Sequence, residues 1–148
     1  RRDPMAMRPF TGYNMGDYFG HWLTMGEKLG DKAPKIFNVN WFRTNEEGKF
    51  IWPGFGDNMR VLLWILARCE GKVEADITPI GYVPKAEDIM IEGLEDITID
   101  TIRDLLTVDV ESWLADIDNI KEFYAQVGER VPAELYDELK ALEDRLSK

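Results

Sequence analysis

The apolar positions of this chain change their period three times, and each change predicts a different kind of element. Met15, Tyr18, Phe19, Trp22, Leu23 and Leu29 fall close to helical spacing, which predicts a helix over 14–29. Asn14 is placed to cap its start and Gly30 to stop it. Gly16, Gly20 and Gly26 lie inside the same helix, where each costs roughly 1 kcal/mol relative to Ala. Glycines along one helix face imply close approach to another backbone.

From residue 35 to 43 the period drops to two, with Phe37, Val39 and Trp41 on one face, as in a strand. Residues 44–48 are polar and end in Gly48, and 49–52 return as a second short strand, so a hairpin with a longer loop is expected. That alternation puts Trp41 and Phe42 on opposite faces, and Phe50 and Trp52 on a common one. Pro53-Gly54-Phe55-Gly56 breaks regular structure. Asp57 is then placed to cap a helix over 58–69, ended by Gly71. Apolar side chains surround that helix through Val61, Leu62, Leu63, Trp64, Ile65 and Leu66, so it should be buried on all sides.

Residues 1–10, with Pro4 and Pro9, should run extended. Residues 72–98, with Pro79, Gly81, Pro84 and Gly93, read as irregular. The last third is helical. A short helix near 100–106 precedes one over 109–127, striped by Trp113, Leu114, Ile117, Ile120, Tyr124 and Val127. Pro132 opens a final helix striped by Leu135, Leu139, Leu142 and Leu146. The expected class is α+β: a small strand unit with a hairpin, packed by helices, and a helical carboxy-terminal third.

Length and charge narrow the function. A chain of 148 residues suits one compact domain, and its longest apolar run, 61–67, is far short of the ~20 residues that cross a bilayer. No membrane partner is expected. Residues 1–74 carry 11 Lys and Arg against 9 Asp and Glu, whereas residues 75–148 carry 7 against 19. The acidic half would repel a phosphate backbone, which argues against nucleic acid, while the near-neutral half would tolerate an anionic ligand. Charge alone points to the first half as the place of a site; the expected portions are residues 1–84, holding the site, and residues 85–148, acidic and helical. The single cysteine, Cys69, fits a reducing, cytoplasmic setting and reads as a buried core thiol.

Candidate catalytic groups are sparse. His21 is the one histidine, without Cys or His at metal-ligand spacing, and reads as structural. Gly-x-x-x-x-Gly-Lys-Ser/Thr does not occur, and Ser112 and Ser147 lie in acidic helices rather than nucleophile elbows. What remains is Trp41-Phe42, Phe50, Trp52 and Phe55-Gly56-Asp57-Asn58. Rings delivered by a strand, a return strand and a Gly-flanked loop can form a slot for a flat base, each stack adding about 1–3 kcal/mol. Asn58 carries an amide donor and an acceptor, which suits a purine edge. On spacing alone the same aromatics can equally plug the end of a core, as in a standalone binding or interaction module docking through its acidic helices.

The runs 35–43 and 47–62, with their Trp41-Phe42 and Pro53-Gly54-Phe55-Gly56 segments, closely resemble the GTP-dependent phosphoenolpyruvate carboxykinases. So do residues 3–14 and the run Thr78-Pro79-Ile80-Gly81-Tyr82-Val83-Pro84. The resemblance implies an enzyme that converts oxaloacetate and GTP into phosphoenolpyruvate, GDP and carbon dioxide, using Mn²⁺ together with Mg²⁺-nucleotide. It implies a guanine slot in which Phe42 and Phe55 hold the base and Phe50 closes it. Asn58 would bind the base edge, with Trp41 and the backbone of Phe55, Gly56, Asp57 and Asn58 adding contacts. It further implies that this is the carboxy-terminal piece of a longer, monomeric enzyme, starting just after a mobile lid. The phosphate loop, metal ligands and oxaloacetate-binding arginines would then lie upstream, and the piece alone would be non-catalytic and prone to self-association.

Overall fold

A computed structural model describes residues 3–148. Five α-helices and one two-stranded antiparallel hairpin are present among the described residues, an α+β arrangement. The helices are α1 (Met15–Leu29), α2 (Asn58–Cys69), α3 (Ile99–Leu106), α4 (Val110–Val127) and α5 (Ala133–Leu146). The strands are β1 (Asp76–Thr78) and β2 (Gly81–Val83), with Ile77 opposite Tyr82. The chain divides into two compact units, one gathering the segment up to Pro34 with Asp109–Lys148, the other spanning Lys35–Val108. The expected division at residue 84 falls inside the second unit.

In the first unit, Asn14 does two jobs. Its side-chain oxygen accepts from the Gly16 N–H at 2.7 Å, capping α1, while its Nδ2 donates to the Val127 carbonyl at 3.1 Å. This ties the start of α1 to the end of α4. Gly16 is buried there, and a Cβ on it would overlap the Arg130 backbone; Gly20 and Gly26 face open space. Close backbone approach is thus confined to one of the three glycines. Phe19 meets Phe123 edge-on at 6.4 Å, and Tyr124 meets Tyr136 of α5 at 5.2 Å. Ile117 and Phe123 are the buried residues of α4: Phe123, not in the expected stripe, is buried, whereas Leu114, expected in it, is exposed. Residues 3–10 are not extended as expected. Pro4–Ala6 and Arg8–Phe10 form two 3₁₀ turns, each with a proline in its first two positions, where its fixed φ is accommodated. The remainder of that expectation lies outside the described residues.

The second unit is built on Trp52, Trp64, Ala86, Ile89, Ile97 and Ile102, with Phe37 and Trp41 packed against them. Several expectations are corrected here. Residues 35–43 form no strand and join no ladder, and Phe37 instead packs edge-on against Trp64 of α2 at 6.3 Å. The return strand reduces to a single bridge between Thr44 and Phe50. Conversely, residues 76–83, expected to be irregular, make the true hairpin, with Pro79 and Ile80 as its turn. Helix α2 forms at the expected bounds but is not buried all round: Trp64 alone is buried, and Met59, Leu62, Leu63 and Leu66 are exposed. Cys69 is exposed rather than packed in a core, and His21 is exposed as well. No helix of the described residues is long and apolar enough to cross a membrane.

Candidate functional site

The site candidates lie in the second unit, on two consecutive turns. The first is closed by the Asn45 N–H donating to the Lys49 carbonyl at 2.9 Å, and by the Asn45 side-chain oxygen accepting from the Lys49 N–H at 2.9 Å. The Ile51 N–H donates to the Arg43 carbonyl at 3.0 Å, so the two arms still face each other although they form no sheet. The Arg43 guanidinium reaches the Asp104 carbonyl of α3 at 2.6 Å and anchors the outgoing arm. Just ahead, the Asn40 side-chain oxygen accepts from the Phe42 N–H at 3.0 Å, a local bond that favours a turn over a strand. Trp41 packs against the core and Phe42 stands outside it, 71% exposed. The opposite-face expectation for this pair holds.

Phe42 and Phe50 come together, ring centres 5.8 Å apart and planes inclined by 61°. Phe50 and Trp52 do not share a face as expected. Phe50 is exposed and Trp52 is buried, because the arm bends at Ile51 and Trp52 instead of continuing as a strand.

The second turn starts at Gly54, whose φ of +102° is open to glycine and strained for other residues. The Asp57 N–H donates back to the Gly54 carbonyl at 3.0 Å, and Phe55 projects from the turn 97% exposed. Exposing a whole phenylalanine forgoes about 1.5–3 kcal/mol of burial. Gly56 is exposed and Asp57 half-buried. Asp57 occupies the position before α2, but its carboxylate makes no cap; it pairs with Arg60 at 2.9 Å. Arg60 also donates to the Met90 carbonyl at 3.1 Å. The local anion is thereby matched at the mouth of α2.

Asn58, the first residue of α2, is half-buried and held from behind: the Trp52 indole N–H donates to its side-chain oxygen at 2.9 Å. Trp52 and Asn58 both stand in the constellation expected from sequence, but nothing in the sequence links the one to the other. The signal was hidden, because a bond between positions 52 and 58 spans a bend and a turn and follows no period.

Chemically, this surface offers exposed rings, an amide beside a helix start and a neutralised carboxylate. It can bind and orient a flat polar ring. Among the described residues no group of three or more His, Cys, Asp or Glu side chains is placed to hold a metal ion.

A family model described as the phosphoenolpyruvate carboxykinase C-terminal P-loop domain matches residues 1–145. The chain belongs to this family. It is 51% identical over 146 residues to the phosphoenolpyruvate carboxykinase (GTP) of Corynebacterium jeikeium, covering 99% of this chain and 24% of that protein. Relatives of the same name from Corynebacterium glutamicum (strain R) and Paenarthrobacter aurescens are each 50% identical over 147 residues, again covering 99% of this chain and 24% of theirs. The chain thus spans about a quarter of the length of these carboxykinases.

Proposed function

We propose that this chain supplies the guanine-binding part of a GTP-dependent phosphoenolpyruvate carboxykinase. The single observation that carries this reading is that Phe42 and Phe50 meet at one turn and Phe55 stands on the next, just ahead of Asn58, with all three phenylalanines exposed. A core plug is covered by its own fold; a ring that is 97% exposed and sits on a glycine-flanked turn is suited to being covered by a ligand. Phe42, Phe50 and Phe55 stack on or flank the base. Asn58 addresses its edge, and the backbone of Gly56 and Asp57 together with Trp41 shapes the surround.

In the whole protein, oxaloacetate loses carbon dioxide, and the enolate oxygen left behind takes the terminal phosphoryl group of GTP to give phosphoenolpyruvate and GDP. Mn²⁺ and Mg²⁺ would supply charge neutralisation for that transfer from ligands outside this chain. The part described here selects and holds the nucleotide, in the cytoplasm and in a monomeric enzyme of glucose synthesis. The exposed apolar residues of α2, Met59, Leu62, Leu63 and Leu66, would make the isolated chain self-associate.

The test is Phe55→Ala in the full-length enzyme. Loss of one stacking contact of about 1–3 kcal/mol raises KM for GTP by roughly five- to 150-fold, with KM for oxaloacetate unchanged. An unchanged KM for GTP accompanied by a lowered melting temperature would return the aromatics to a packing role.

A further inference from the structure

Resting on that reading of the slot, we propose that Trp52 is a positioning residue that sets which purine Asn58 accepts. An indole N–H can only donate. The end of the Asn58 amide facing Trp52 Nε1 at 2.9 Å must therefore be the oxygen. With Oδ1 committed, the amide cannot reverse without setting donor against donor, and it presents Nδ2 as its free end. Trp52 is itself 7% exposed and belongs to the core of the second unit, so the donor that imposes this orientation has little room to move. Trp52 would not touch the base; it acts through the amide.

A fixed Nδ2 donor discriminates between bases that differ in one group. Guanine carries a carbonyl acceptor at position 6, where adenine carries an amino donor. A free asparagine could turn over and accept from the adenine amino group as readily as it donates to the guanine carbonyl. An amide pinned by Trp52 cannot. Preference for guanine over adenine thus depends on a tryptophan outside the slot. A site built to hydrogen-bond one group rejects the analogue that leaves its polar atoms unmatched far more strongly than apolar contacts can.

The experiment measures kcat and KM for GTP and for ATP in the full-length enzyme and in three variants: Trp52→Phe, Asn58→Asp and Phe55→Ala. Trp52→Phe keeps an aromatic ring in the core and removes the donor. The expected result is a fall of about tenfold or more in the GTP-to-ATP ratio of kcat/KM, arising in KM, with kcat at saturating GTP retained. Asn58→Asp keeps an oxygen for the indole but offers the base a second oxygen in place of Nδ2, and its ratio should move further toward ATP.

An equal loss for both nucleotides in Trp52→Phe marks a packing role and overturns the proposal. So does an unchanged ratio in Trp52→Phe while Phe55→Ala raises KM for GTP, an outcome that leaves the slot itself standing. If Phe55→Ala also leaves KM for GTP unchanged, the slot reading fails and Trp52 positioning fails with it. Should circular dichroism show Trp52→Phe unfolded, benzothienylalanine incorporated at position 52, which keeps the bicyclic ring and removes only the N–H, decides: a ratio moved toward ATP supports the proposal, and an unmoved one overturns it.

Discussion

The three glycines of α1 should respond to alanine with opposite signs. At Gly20 and Gly26 an added Cβ meets open space. Gly20→Ala and Gly26→Ala should therefore each gain about 0.5–1 kcal/mol from the better helix former. At Gly16 the same methyl overlaps the carbonyl carbon and oxygen of Arg130. Backbone cannot turn aside as a side chain can, so α1 must move away from the segment following α4. That movement strains the 3.1 Å bond from Asn14 to the Val127 carbonyl and the ion pair between Arg130 and Asp17. Overpacking costs about 1–3 kcal/mol and a weakened hydrogen bond about 1 kcal/mol. Set against a propensity gain of about 1 kcal/mol, Gly16→Ala should lose about 1–3 kcal/mol net. Urea denaturation of the four proteins followed by far-ultraviolet circular dichroism measures this, with the midpoint compared at constant slope. Each kcal/mol corresponds to about 2–4 °C in Tm for a chain of this length. A Gly16→Ala midpoint at or above that of the parent would refute the close approach on which the reasoning rests.

Two further outcomes follow from the same unit. Asn14→Ala removes both the cap on Gly16 and the link to Val127 and should cost about 1–2 kcal/mol; in the same urea assay, a change below a few tenths would show that water replaces both bonds. Burial, and secondarily the neighbouring Tyr136, raises the Tyr124 pKa above its ordinary value. The folded state then holds its phenolic proton to higher pH than the unfolded chain does, so the stability it contributes is complete below about pH 10 and is lost as pH climbs toward the raised folded value. Tyr124→Phe should flatten the fall in stability above about pH 10, and an unchanged slope would remove Tyr124 as its source.

Helices were legible because their signals are local. Asn14 and Gly30 bound α1, Gly71 follows the end of α2, and Pro132 immediately precedes α5. Strands were not, because a strand exists only with a partner. The alternation of Phe37, Val39 and Trp41 is genuine, and Phe37 and Trp41 do pack against the core, but alternation does not supply a ladder. In residues 76–83 the misreading ran the other way. Pro79 and Gly81 looked like interruptions, yet Pro79 sits in the hairpin turn and Gly81, at φ +123°, begins the returning strand. Punctuation in a sequence marks a change of direction; whether the flanks pair is decided by atoms elsewhere.

The same distinction separates what was readable at the site from what was not. Exposure of Phe42 follows from its offset of one residue from Trp41, and exposure of Phe55 from its two glycine neighbours; both are properties of short windows. The state of Asn58 is not. Its identity announces a donor and an acceptor, but which end faces a ligand depends on an indole six positions earlier, brought back by a bend at Ile51 and Trp52 and a turn at Gly54. Helix α2 carries the complementary lesson. Its apolar residues on every side predict burial, yet the fold covers Trp64 and leaves Met59, Leu62, Leu63 and Leu66 open. Hydrophobic pattern specifies which surfaces need cover and of what chemistry. It does not say which atoms provide that cover, and α2 presents the demand at the point where Asn58 begins the helix.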